Sequence, residues 1–244
     1  MKKWFSLFAI CGVVVAVSTL GTISKSKRDA QIRQQLDALE KAEDRNTIDW
    51  YVRRAKLQRQ NRVVLRTPLA LYPEVRNFEE AISSNGIILA ELLEKRSYAR
   101  SDDIMTLYRF KVVETLTRSI PKCRNCSFPL EIVPEEMLPM NPDELLIPGS
   151  GGTIESDGVK VEMVDPGVRE FVLSKRYVLF IQSVSPRLAI LRIGPDGVFS
   201  VEGDEKLIPL CNYPHQSNLD LNARFEGSLT QLRSHMISIK AVNY

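Results

Sequence analysis

The sequence predicts a mainly β protein, in which short strands close into a small barrel with short flanking helices. An N-terminal transmembrane helix and a helical stalk precede the barrel. Three observations lead there. The stretch Ile87 to Leu116 holds two long apolar-rich runs joined by Ser101-Asp102-Asp103, a hairpin signature. Further short alternating runs follow at hairpin spacing, separated by Asp-Gly and Pro-Asp-Gly turns. Ahead of all of them, Trp4 to Ile23 is a 20-residue segment without a formal charge. The chain therefore divides into an anchor over 1–24, a basic helical stalk over 25–66 and a barrel domain over 67–244.

The anchor follows Met1, Lys2 and Lys3, carries Trp4 at its edge and is rich in Val, Ile, Leu and Phe. About 20 apolar residues span a bilayer as a helix. Ala16-Val17-Ser18 offers the small residues of a signal-peptidase site, but the apolar run continues past it to Ile23, which favours an uncleaved signal-anchor. Cys11 follows Ile10 and lies too early for a lipoprotein. Lysines lie on both sides of the segment, so charge alone does not orient it. The short tail ahead of it places the main domain outside the cytoplasm, periplasmic or extracellular.

The stalk carries 12 Lys/Arg against 6 Asp/Glu over residues 24–66, whereas residues 67–244 carry 19 against 24. A basic stalk before an acidic domain excludes nucleic-acid binding by the domain, since phosphate contacts need a basic surface. Ile32, Leu36 and Leu39 recur at helical spacing, and Asn46 or Thr47 caps a second helix carrying Ile48, Tyr51, Val52 and Ala55. A spacer is the first reading. A homodimeric coiled coil comes second, with only about two heptads to support it. Contact of Arg53, Arg54, Lys56, Arg59 and Arg62 with anionic lipid comes third.

Pro68 and Pro73 mark the entry to the domain. Phe78 to Ser84 reads as a short helix ended by Asn85-Gly86, residues tolerant of positive φ. Ile87 to Leu93 is continuously apolar, as a strand buried on both faces is. Ile104 to Val112 alternates, with one buried face and with Met105, Leu107, Arg109 and Lys111 on the other side. Phe128, Leu130 and Ile132 alternate as an edge strand, and a Pro-rich irregular excursion runs to Pro148. A hairpin over Thr153 to Val164, a central strand Arg176 to Ile181, a hairpin of Leu188–Ile193 with Val198–Val201, a short strand from Lys206 and a helix over Gly227–Ile237 complete the chain. Tyr98, Tyr108, Arg109, Tyr177 and Phe180 are expected in the core or at its rim.

The order of GIILAELLEKRSYA, YRFKVVETL, a cysteine-bearing loop, a Gly-rich turn and KRYVLFI resembles the OB-like barrels of the netrin and tissue-inhibitor-of-metalloproteinases type. It resembles also bacterial exported domains that share these landmarks. The resemblance covers Phe78 to Ile237 and implies an OB-like barrel acting by binding. The inhibitors act through a free N-terminal cysteine; here an anchor and stalk precede the domain, so that mechanism is not carried over.

Cys123-Arg124-Asn125-Cys126, with Cys211 and His215 downstream, supplies the ligand types of a Cys3His zinc site. An exported domain more often pairs such cysteines, so a disulfide is the preferred reading over free thiols and zinc; a bridge from Cys123 or Cys126 to Cys211 would tie the central loop to the C-terminal region. Ser127 after Cys126 excludes a c-type haem, and Pro129 with its strand pattern argues against a thioredoxin-like role. Gly149-Ser150-Gly151-Gly152 lacks the Lys-Ser/Thr of a phosphate-binding loop and reads as a turn or mobile loop. His215 and His235 lie in no nucleophile arrangement, and no carboxylate pair stands out. The expectation is a non-enzymatic binding or structural domain of the cell envelope with no cofactor and a protein partner. An envelope hydrolase or metal enzyme, or an inhibitor-like module, are the alternatives.

Overall fold

The computed structural model describes residues 25, 27–67, 77–124, 126, 133–138, 141–211 and 221–242. The anchor at 4–23, the prolines at 68 and 73, the strand expected over 128–132 and His215 lie outside them. The described chain forms two compact units. One comprises residues up to Val63 with Glu155–Val161, the other Val64–Ile154 with Glu162 onward.

In the first unit, helix α1 covers 27–40 and α2 covers Ile48–Leu57. Of the two capping candidates it is Thr47 that acts, its hydroxyl accepting from the Trp50 amide at 3.2 Å. Leu39, Ile48, Trp50, Val52 and Ala55 are buried, and the Trp50 indole donates to the Leu39 carbonyl at 2.8 Å. The end of α1 and helix α2 are thus packed, whereas residues 27–38 are mostly exposed, as in the solvated spacer the sequence suggested. Arg53 pairs with Asp44 and Arg54 with Glu40, so these two cations have protein partners. Among the described residues no helix is long and apolar enough to cross a membrane.

The described residues form ten strands: β1 (Arg62–Arg66), β2 (Gly86–Arg100), β3 (Asp103–Thr115), β4 (Glu144–Ser150), β5 (Gly152–Ser156), β6 (Val159–Val164), β7 (Arg176–Ser185), β8 (Leu188–Ile190), β9 (Val198–Glu202) and β10 (Lys206–Pro209). Strands β1, β6 and β5 make a three-stranded sheet in that order. The larger sheet runs β10-β9-β7-β2-β3-β4-β8, and β8 returns to pair with β7. That pairing closes β7, β2, β3, β4 and β8 into a five-stranded barrel. All its pairings are antiparallel except β4 with β8. Helices α3 (Phe78–Ser84), α4 (Leu221–Phe225) and α5 (Leu229–Val242) complete the second unit.

The double burial expected for Ile87 to Leu93 has a specific cause. Ile88, Ala90 and Leu92 face one cluster with Phe110, Leu145, Ile147, Tyr177, Leu179, Ile181 and Ala189, drawn from every barrel strand: the barrel interior. Ile87 and Leu89 face the other way, with Val178 and Phe180, into a cluster closed by Phe78, Phe225, Leu229, Leu232 and Met236 of the three helices. Leu93 and Val113 are the extra residues at the two bulges of the β2–β3 pair, and both are exposed.

Four expectations need correction. Leu188–Ile193 and Val198–Val201 do not pair with one another. Instead β8 pairs with Gln182–Ser185 and β9 with Tyr177–Leu179 of β7, because the 3-10 turn Gly194–Gly197 separates them. The excursion ends in a barrel strand, β4, despite Pro148 within it. Asn85 and Gly86 do not take positive φ: Asn85 lies at −131°. Gly86 is required by close approach, since a Cβ there would lie 2.8 Å from the Ile120 Cα. The Gly151–Gly152 corner is pinned rather than mobile, with the Gly151 amide donating to the Ile104 carbonyl at 2.7 Å and the Thr106 hydroxyl donating to the Gly151 carbonyl.

Candidate functional site

Counting back from the Ser101–Asp102 turn puts Glu94 opposite Arg109, and the hydrogen-bonded register does the same. Beyond the Leu93 bulge the outward side chains of β2 are Glu94, Arg96 and Tyr98, so the parity of the strand has switched. Strand β3 adds Met105, Leu107 and Arg109 to this face, and β4 adds Glu144 and Leu146. A strap over 133–138 covers part of it. Pro134 opens a single 3-10 turn, the Met137 amide donates to the Pro134 carbonyl at 2.9 Å, and Met137 is fully buried with Val133, Met105, Leu107, Leu146 and Leu188.

Beside that apolar plug runs a ladder of opposite charges across three strands. Arg109 Nη2 donates to Glu94 Oε2 at 2.7 Å and its Nη1 lies 3.7 Å from Glu144 Oε2. Arg96 reaches Glu94 at 3.2 Å and, at 2.5 Å, Glu136 of the strap. Asn141 donates to the second oxygen of Glu144. Arg109 is only 15% exposed and Glu144 6%, so this pair is desolvated and geometry decides whether it stabilises. Arg109, expected in the core or at its rim, is thus a largely covered cross-strand clamp. Burial pushes the Tyr98 hydroxyl above the ordinary tyrosine range, with Arg96 partly offsetting it. Tyr98 Oη and Arg109 Nε are buried without a hydrogen-bond partner among the described residues.

With each carboxylate held against a guanidinium, the face offers no open basic track for phosphates. What it can do is hold the strap: the plug supplies apolar contact and Arg96–Glu136 fixes its position. The other expected residues lie apart from it. Tyr108 and Tyr177 belong to the barrel interior, in an aromatic group with Phe110 and Phe171, and Phe180 lies under the helices. Burial lifts the Tyr108 hydroxyl to about 12. His235 packs with tilted rings against both Phe78 and Phe225, at 5.9 and 5.2 Å.

Cys123 and Cys126 form a disulfide with each other, rather than with Cys211. Cys211 keeps its thiol, buried beside Val168. Among the described residues no three His, Cys, Asp or Glu side chains gather as a metal set. By loop-closure entropy a bridge across a sequence separation of 3 stabilises by about 2 kcal/mol, against about 4–5 kcal/mol for one to Cys211. Glu94, Arg96, Glu136, Met137 and Glu144 were missed in the sequence. The turn register was a usable signal for Glu94; nothing local marks the strap, whose partners are distant in the chain.

No known family, curated protein or solved structure matches this chain.

Proposed function

We propose that this protein is a single-pass membrane-anchored component of the cell envelope that displays an OB-like barrel outside the cytoplasm as a binding or structural module. The anchor is the uncharged segment 4–23. The OB-like reading rests on the connectivity. Numbering the barrel strands 1 to 5 in chain order, the ring runs 1-2-3-5-4-1, strands 3 and 5 are parallel, and the first strand is long and bulged. One observation carries the binding reading. The barrel interior is filled by apolar and aromatic side chains from all five strands, so a partner engages the surface. The segment over 25–66 serves as a spacer, with homodimerisation through it a secondary role.

Two experiments test this. Membranes carrying the full chain are washed with high salt and alkaline carbonate, and then treated with detergent. Only detergent is expected to release the protein, and release by salt would sink the anchor. In-cell crosslinking followed by purification of the full chain is expected to recover an envelope protein. A chain that crosslinks to no envelope protein above a control anchor would overturn the module reading.

A further inference from the structure

We propose that the Cys123–Cys126 disulfide is a thiol–disulfide exchange site that oxidises dithiols, with Cys126 as the sulfur attacked. Three observations converge on it. The bridge closes a ring across a sequence separation of only 3, a short span that constrains the unfolded chain little. The two residues are unequally placed: Cys123 is buried, whereas Cys126 is partly exposed. The near end of the ring is held without the bridge, because the Cys123 amide donates to the Ser183 carbonyl at 2.8 Å and the Ser183 amide to the Pro121 carbonyl at 2.9 Å. Opening the bridge therefore leaves residues 121–123 fixed on β7.

The exchange follows from this arrangement. A partner thiolate attacks Cys126 Sγ, a mixed disulfide forms, and the Cys123–Cys126 bond breaks with its electron pair leaving on Cys123. The Cys123 thiolate takes a proton from solvent. The second thiolate of the partner attacks the partner's own sulfur in the mixed disulfide and expels Cys126. The partner ends as a disulfide and the protein as a dithiol, two electrons having moved. The substrate class is an accessible protein or peptide dithiol.

The test uses the full chain in detergent, with glutathione and a reduced dithiol peptide as probes. Alkylation and mass measurement are expected to show the pair equilibrating with glutathione mixtures, and oxidation of the peptide in step with reduction of the pair. Near-ultraviolet circular dichroism is expected to stay unchanged. With Cys123→Ser, oxidised glutathione should add to Cys126 about tenfold faster than it adds to Cys123 in Cys126→Ser. A pair that stays oxidised in reduced glutathione, a fold lost on reduction, or equal uptake by the two variants would each overturn the assignment.

Discussion

The two outer sides of this barrel are closed by different means. On the side of β2, β7 and β9, three helices seal a continuous apolar cluster: Phe78 packs edge-to-face on Phe225 at 5.1 Å, and Arg233 of α5 is clamped between Glu114 and Glu205. On the side of β2, β3 and β4, one short strap closes a plug of six buried residues, and charges cover the rest. A long strand such as β2 serves both, through a one-residue bulge at Leu93 that turns its charged half toward the strap. The two sides therefore differ in cooperativity. The helical side has enough apolar area to be part of the global core, whereas the strap side is small enough to open locally.

That contrast can be broken from either side. The largest effect is expected for Phe180→Ala, a fully buried ring under the helices: about 3–5 kcal/mol lost, read from urea unfolding. Next, Arg109→Ala should cost about 3 kcal/mol, because it leaves Glu144 buried beside an empty site. Adding Glu144→Leu to Arg109→Leu should recover most of that loss; no recovery would mean the ladder contributes more than charge compensation. Met137→Ala should cost about 2–3 kcal/mol and speed amide exchange along β3 and β4 without changing exchange in α5. Equal acceleration on both sides would show one cooperative unit.

A titration probes the barrel interior. The Tyr108 phenol has its folded value raised, so its stabilising contribution is complete below the unfolded value of 10.0 and is lost as pH rises toward about 12. That rise corresponds to about 3 kcal/mol, expected as a falling unfolding midpoint across the same window and removed in Tyr108→Phe. Tyr98 and Tyr177 are raised too and act in the same direction. The smallest effect belongs to a helix end. Asn77 caps α3 by accepting from the Glu80 amide at 2.9 Å, and Asn77→Ala should cost about 1 kcal/mol.

The sequence by itself determined the elements whose signal is local. The continuous run Ile87 to Leu93, the strand over Ile104 to Val112, the Asp157-Gly158 turn (both at positive φ) and the Leu229–Leu232–Met236 stripe each follow from period and turn chemistry over a few residues. The second face of Ile104 to Val112, expected opposite the buried one, is itself buried through Met105 and Leu107. Even the Glu94–Arg109 pair could be counted from its turn. Tertiary structure decided everything that joins distant segments. It separated β8 from β9 and assigned both to β7, and it made a barrel strand of a Pro-bearing excursion. It set Arg109 beside the buried Glu144 and joined Cys123 to Cys126 in preference to Cys211. The reason is physical. A residue's period reports which side of its own element it occupies, but what covers that side depends on loop closure and packing among segments tens of residues apart.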